Sequence, residues 1–279
     1  MLGSAGTTAD KAGSHGWHWN QGLGQRLRTV LAGLVLPVLI GIAWWLGSSS
    51  AGQMAAFVPT PAKVAATAVQ LIEIGYRGRS LEDHIWATFS KVLYSFIFVT
   101  AAGVPIGFVM GRNRIAEALM DPLVEFFRPL PSLAYLTLLI IWFGIGLATQ
   151  VSLLFLTGFP IAVTGARAAA RSVSEEKIRT ARAFGASQTQ ILRYVVLPSS
   201  LPAILTSSRI VAGALFGTTI AAEMVSAREG VGWMILDASE FLRADVIFCG
   251  IALLALMGVC MDRAFRVLER RLTPWEGHE

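Results

Sequence analysis

Charge is scarce in this sequence. Asp, Glu, Lys and Arg make up 15% of its 279 residues, against roughly 25% in soluble domains. Hydrophobic residues reach 54% and the mean hydropathy is +0.59. That apolar excess does not fit inside one soluble core of this size, so an ordinary soluble enzyme or binding domain is excluded and an integral membrane protein is expected. Cysteine is nearly absent. Cys249 and Cys260 stand eleven residues apart in one apolar run, about 16 Å along a helix and too far for a disulfide. His15, His18, His84 and His278 are scattered without metal-ligand spacing, so no metal is expected. No G-x-x-x-x-G-K-[ST] phosphate loop occurs, and no Gly-Lys pair, so the chain does not hydrolyse ATP itself. No catalytic residue and no cofactor on this chain are expected.

Six stretches are long and apolar enough to cross a bilayer, which takes about 20 residues: 29–47, 85–110, 118–143, 149–169, 201–222 and 245–265. The third carries Asp121, Glu125, Arg128, Pro129 and Pro131, which predicts a helix broken near residues 128–132. Residues 1–28 form a polar tail whose first 20 residues have a composition that predicts disorder. The loop at 48–84 contains an amphipathic helix (Val64, Ala65, Ala68, Val69, Leu71, Ile72) expected to lie on the outer face. Residues 266–279 form the C-terminal tail.

Basic residues set the orientation. Fifteen fall on one side: Lys11, Arg26, Arg28, Arg112, Arg114, Arg167, Arg171, Lys177, Arg179, Arg182, Arg193, Arg263, Arg266, Arg270 and Arg271. Five fall on the other: Lys63, Arg77, Arg79, Arg228 and Arg243. Both termini and the insert at 175–198 are therefore expected in the cytoplasm. Topology accounts for the net charge of +5 without nucleic acid.

That insert is polar and charged between two apolar spans. Ile178, Ala181, Phe184 and then Ile191, Tyr194, Val195 recur at helical spacing. Gly185 between them permits the positive φ that ends one helix and starts another. Ser187 or Gln188 is available to cap the second, and Pro198 and Pro202 are expected to stop it before span five. The product is two short helices forming a cytoplasmic knob.

Here the chain resembles the permease subunits of binding-protein-dependent ATP-binding-cassette importers. Their signature is Glu-Ala-Ala, three residues, Gly, nine residues, Ile, any residue, Leu-Pro. The matching positions are Arg179-Thr180-Ala181, Gly185 and Val195-Val196-Leu197-Pro198, with Arg179 replacing the usual Glu. Val58-Pro59-Thr60-Pro61, Arg128-Pro129-Leu130-Pro131, Trp142-Phe143-Gly144-Ile145-Gly146 and Ala227-Arg228-Glu229-Gly230-Val231-Gly232 are similar to the branch importing taurine, aliphatic sulfonates, nitrate and bicarbonate. The tail Arg270-Arg271-Leu272-Thr273-Pro274-Trp275 is similar to taurine permeases. Thr137 and Leu147 depart from that branch, which has Pro and an acidic residue there.

The resemblance implies an all-α membrane protein with the type I importer permease fold and six transmembrane helices. It implies a homodimer in the bacterial inner membrane, two cytoplasmic ATPase subunits that carry ATP and Mg, and an extracytoplasmic binding protein. It places ATPase coupling at Ala181, Phe184, Gly185, Ala186, Ser187, Thr189, Gln190, Leu197 and Pro198.

Charge inside a membrane usually faces a bundle interior or an aqueous cavity. Lys91, Asp121, Glu125, Arg128, Arg209 and Glu223 are the candidates, and Arg128, Arg209, Glu223 and Glu125 are assigned to the translocation path. Competing readings are snorkelling of Lys91 and Arg128 and an Arg128–Glu125 pair. Gly103-x-x-x-Gly107-x-x-x-Gly111 and Gly213-x-x-x-Gly217 permit close helix approach, within one chain or between two. An ion-coupled secondary transporter is the rival function, but the chain shows no inverted repeat.

Overall fold

The computed structural model describes residues 35–36, 38–48 and 57–275. The predicted tail at 1–28 and the start of the first span lie outside them. The chain divides into two units, residues 1–61 and 62–279. In the first, residues 35–36 and the helix Val38–Ser48 (α1) expose Leu36, Leu39, Ile40 and Trp45, and Trp44 Nε1 donates to Pro59 O at 3.1 Å.

The second unit is a helical bundle. Pro61–Glu73 (α2) opens it, then Leu81–Arg112 (α3), Arg114–Phe127 (α4), a 3-10 turn at Ser132–Tyr135 and Leu136–Phe143 (α5). Leu147–Arg171 (α6), Glu175–Ala183 (α7), Gln188–Ile191 (α8), Leu197–Ser226 (α9), Val231–Glu240 (α10) and Ala244–Leu272 (α11) follow. Among the described residues, four helices are long and apolar enough to span a membrane: α3, α6, the run Gln188–Ser226 and α11. The bent pair α4 and Ser132–Phe143 makes a fifth, turning by 86°. The bend falls at residues 128–131, where Pro129 and Pro131 withhold two backbone donors, as the sequence predicts.

Local chemistry sets the ends. Ser80 caps α3 through a reciprocal box with Asp83, both bonds at 3.1 Å. Asn113 closes α3 and caps α4, its Oδ1 accepting from Ile115 and Ala116.

The bundle centre is the junction of α3, α6 and α9, where Val92, Val99, Leu154, Ala162, Val211 and Leu215 are buried together. In lipid, helices gain little from hiding apolar surface from each other, so close contact does the work. A Cβ on Gly103 would stand 2.7 Å from Ala162 Cβ, and one on Gly111 2.7 Å from Ala170 Cβ. At Gly107 it would run into the Val163 carbonyl. The first glycine stripe therefore packs α3 on α6 within the chain. Gly213 and Gly217 are different: they are exposed and a Cβ on either meets nothing within 4 Å.

A second cluster joins α2, α10 and α11 through Leu71, Val231, Met234 and Val246. The predicted surface helix thus buries one face, with Thr67 donating to Asp245 at 2.9 Å, while Val69 and Ile72 stay exposed. Cys249 is buried and its Sγ donates to Val64 O, whereas Cys260 is exposed; both are free.

One expectation needs correction. Pro198 does not end the knob. The helix runs unbroken from Gln188 to Ser226 because residues Leu192–Val196 form a π turn, Leu197 N–H bonding to Leu192 O. The wider ladder brings the missing Pro198 donor to a register shift, where it costs little. The C-terminal segment from residue 266 is helical as far as Leu272, where α11 ends.

Candidate functional site

The knob is built from its caps. Ser174 starts α7 by accepting from Glu176 N–H at 3.2 Å. Gly185 ends it at φ +80°. Gly185 N–H bonds to Arg182 O at 2.9 Å and Ala186 N–H to Ala181 O at 3.1 Å, the paired bonds of a Schellman ending. Ser187 then caps α8 in a box with Gln190, choosing between the two caps the sequence left open. Val173, Ile178, Ile191 and Val196 form a small core beneath, with Phe108 of α3 packed against it. The knob is therefore fastened to the bundle by side chains as well as by the chain.

Its exposed tip carries one large apolar side chain among polar neighbours. Phe184 is 87% exposed. Gly185, Ser187, Thr189 and Gln190 are exposed beside it, with Ala181 and Ala186 half-buried. Leu197 is exposed and Pro198 half-buried further along. Tyr194, read from spacing as part of the inner face, is instead 69% exposed, with the Arg193 guanidinium 5.7 Å from its ring centre. The π turn rotates it off the buried face. Arg179 is exposed and has no ion pair among the described residues. The loop is closed by backbone bonds and caps, so the departure at this position leaves its form intact.

The charged candidates are not gathered around one path. Glu223 is fully buried: its Oε1 accepts from Lys91 Nζ at 2.8 Å, and its Oε2 from Thr88 Oγ1 at 3.0 Å and Gly232 N–H at 2.9 Å. Lys91 also donates to Glu229 O at 3.1 Å. This corrects two readings: Glu223 has no exposed surface with which to line a path, and Lys91 is buried rather than snorkelling. Together they tie α3, α9 and α10. Arg209 pairs with Asp262 of α11 at 2.8 Å, and Asp262 also holds Arg266 at 2.6 Å. Arg128 and Glu125 are exposed, and neither has an ion-pair partner among the described residues, so the competing reading that pairs them does not hold. Asp121 and Glu117 hold Arg167, and Glu117 holds Arg171, locking α4 to the knob end of α6.

Two cavities lie at opposite ends. At the knob end a cleft of about 930 Å³ opens between α6 and α9, bordered by Gly165, Ala169, Pro198, Pro202, Ser207 and Trp275. At the far end a pocket of about 490 Å³ is bordered by Arg79, Lys91, Leu147, Gln150, Arg228 and Glu229. Beside it stands a network that sequence spacing does not reveal. His84, fully buried, stacks on Trp233 with ring centres 5.8 Å apart, accepts from Gly230 N–H at 3.2 Å and lies 3.3 Å from Tyr76 O. Tyr76 donates to Asp237 at 2.6 Å, and Arg77 Nε reaches the same oxygen at 2.9 Å. Burial, with the Asp237 hydrogen bond and charge, pushes the Tyr76 hydroxyl up to about 12. Burial works against the Asp237 carboxylate, but the bonds from Tyr76 and Arg77 outweigh it and hold the group below its ordinary value. These partners lie some 160 positions apart in sequence, and only the residue types at Tyr76, Arg77 and Asp237 hint at them.

Residues 103–274 match the family described as binding-protein-dependent transport system inner membrane component. The chain is 36% identical to the taurine transport system permease protein TauC of Escherichia coli (strain K12), over 87% of this chain and 88% of that protein. It is 31% identical to the putative aliphatic sulfonates transport permease protein SsuC of Bacillus subtilis (strain 168), over 88% and 87%. Among solved structures it is similar to an inward-facing MetNI methionine ABC transporter. There the TM-score is 0.63 at 24% identity, covering 69% of this chain and 96% of that one, a likeness of fold.

Proposed function

The chain belongs to the family of binding-protein-dependent transport system inner membrane components, and from that premise we propose that it forms the translocation path for a small sulfonate such as taurine. It is a permease subunit of an ABC importer in a bacterial inner membrane. The knob end faces the cytoplasm in this reading, the basic excess there supporting the orientation. Two copies enclose the path, each seated on one ATPase that carries ATP and Mg, and a binding protein delivers substrate at the far end. The open Gly213–Gly217 stripe of α9 suits a contact between the copies.

The observation that carries the coupling is Phe184: a large apolar side chain, almost wholly exposed, on a turn fixed by a Schellman ending and a capping box. Rigid, exposed apolar anchors are what a protein partner buries. ATP-driven motion of the ATPases shifts the permease pair between inward- and outward-open states, provided ATP binds one state better. Relatives named for taurine and for aliphatic sulfonates support the substrate class.

The test is uptake into proteoliposomes by the complete system, with ATP and no ion gradient. Sulfonate accumulation that follows ATP is the expected result. Uptake that ignores ATP and follows an ion gradient refutes it. Gly185→Trp should leave the permease inserted while separating ATP hydrolysis from uptake, and unchanged uptake would sink the coupling assignment.

A further inference from the structure

We propose that the far-end pocket is a binding station for a small organic monoanion, with Arg228 taking the anionic head. This rests on the transporter reading above and adds a site and a charge rule to it. Three cations border the pocket. Two are neutralised in place: Arg79 by Glu229 at 2.6 Å and Lys91 by Glu223 at 2.8 Å. Arg228 is exposed and has no ion-pair partner among the described residues. The pocket thus carries one uncompensated positive charge, on the side chain best suited to grip a sulfonate or carboxylate through two parallel N–H bonds.

A loop at the pocket's edge is held in place by local bonds. Gly144 and Gly146 take φ of 74° and 150°, Thr149 Oγ1 donates to Gly144 O, and Gln150 N–H bonds to Gly146 O at 3.2 Å. This holds the loop to α6 with Leu147 on the pocket's edge. Leu147 supplies an apolar surface for a short alkyl chain. Gln150 borders the same space and is 2% exposed. Its amide nitrogen donates to Ser226 O at 3.0 Å, which fixes this side of the pocket to α9. The volume of about 490 Å³ lies within the range of small-molecule sites.

The probe is ethanesulfonate, with taurine and ethylammonium beside it. Binding is measured by equilibrium dialysis on the permease–ATPase complex in nanodiscs, without binding protein. Wild type should bind ethanesulfonate and not ethylammonium. Arg228→Gln should weaken ethanesulfonate at least about tenfold, the scale of a lost charge-assisted bond, and Arg228→Lys, which keeps the charge but not the paired N–H bonds, should recover only part of it. Arg228 is exposed, so its replacement does not threaten folding. Leu147→Glu should lower the ethanesulfonate-to-taurine preference about tenfold, since a carboxylate there repels the anion and attracts the ammonium of taurine. Absence of wild-type binding, equal binding by Arg228→Gln, or an unmoved preference in Leu147→Glu each overturns the proposal. ATP-driven uptake by the complete system reports separately on the transporter reading. Uptake that persists while the pocket variants do nothing condemns the pocket alone.

Discussion

Removing one member of the Lys91–Glu223 pair should cost far more than removing both. The side chains are 5% and 0% exposed and 2.8 Å apart, and Glu223 receives two further bonds, from Thr88 and Gly232. In Glu223→Gln the amide oxygen still serves Thr88 or Gly232, but the Lys91 ammonium is left with the Glu229 carbonyl alone. In Lys91→Met a carboxylate stays buried with neutral donors only. An uncompensated buried charge costs ~3–5 kcal/mol. The double variant Lys91→Met/Glu223→Gln buries no charge, so it should recover ~2 kcal/mol or more relative to the sum of the singles. That difference is the coupling energy of the cycle. Reversible unfolding of the purified permease in detergent, followed by denaturant titration, measures it. Singles within about 1 kcal/mol of wild type, or singles that simply add, refute the view that this pair fastens α3, α9 and α10.

The glycine stripes should separate cleanly: Gly107→Ala should destabilise the chain by ~2 kcal/mol or more through overpacking against Val163, whereas Gly213→Ala, with open space around it, should leave thermal stability of the monomer unchanged. At Gly185 a Cβ meets nothing within 4 Å but the backbone sits at φ +80°. Gly185→Ala should therefore cost ~1–2 kcal/mol from backbone strain alone, and Gly185→Asn less, read by melting of the permease; larger losses in coupled uptake than in stability would report the partner surface. The Tyr76–Asp237 contact predicts two pH windows. Asp237 is held below its ordinary 3.8, so its stabilisation is present above that value and is lost as pH falls through the depressed one. Tyr76 is raised from 10.0 to about 12, so its stabilisation is complete below 10 and is lost as pH climbs through about 12. Melting curves of Asp237→Asn should lose the acid limb and those of Tyr76→Phe the alkaline limb; unchanged limbs would refute the assignment.

What could be read from the sequence was what local chemistry decides. Long apolar runs locate α3, α6, α9 and α11, because in lipid a span must satisfy its own backbone. Pro129 and Pro131 locate the bend, and Gly185 with Ser187 locates the turn of the knob. The continuity of Gln188–Ser226 was hidden because Pro198 normally signals a stop, and the π turn that disarms it has no local signature. Glu223 was misplaced for another reason. A carboxylate in an apolar run announces that it needs a partner, but not which one, and Lys91 lies 132 positions away. Arg209 presented the same problem, its partner Asp262 being on α11.

That hidden continuity bears on how a push at the knob would travel along the bundle. Gln188–Ser226 is 39 residues, about 58 Å at helical rise. It begins at the Ser187 cap of the knob, passes the bundle core at Val211 and Leu215, then the buried Glu223, and reaches the far-end pocket at Ser226. Its hydrogen-bond ladder is thinned at the π turn and at Pro198 and Pro202, all within its first fifteen residues. Bending is therefore cheapest between the knob and the membrane span. Beyond Pro202 the ladder has no further proline, and the Glu223 bonds fix its end to α3 and α10. A displacement that exceeds what the first segment absorbs arrives at Glu223 as a movement of the whole helix. It must then carry Lys91 and Gly232 with it or break a buried ion pair, and the second course costs more.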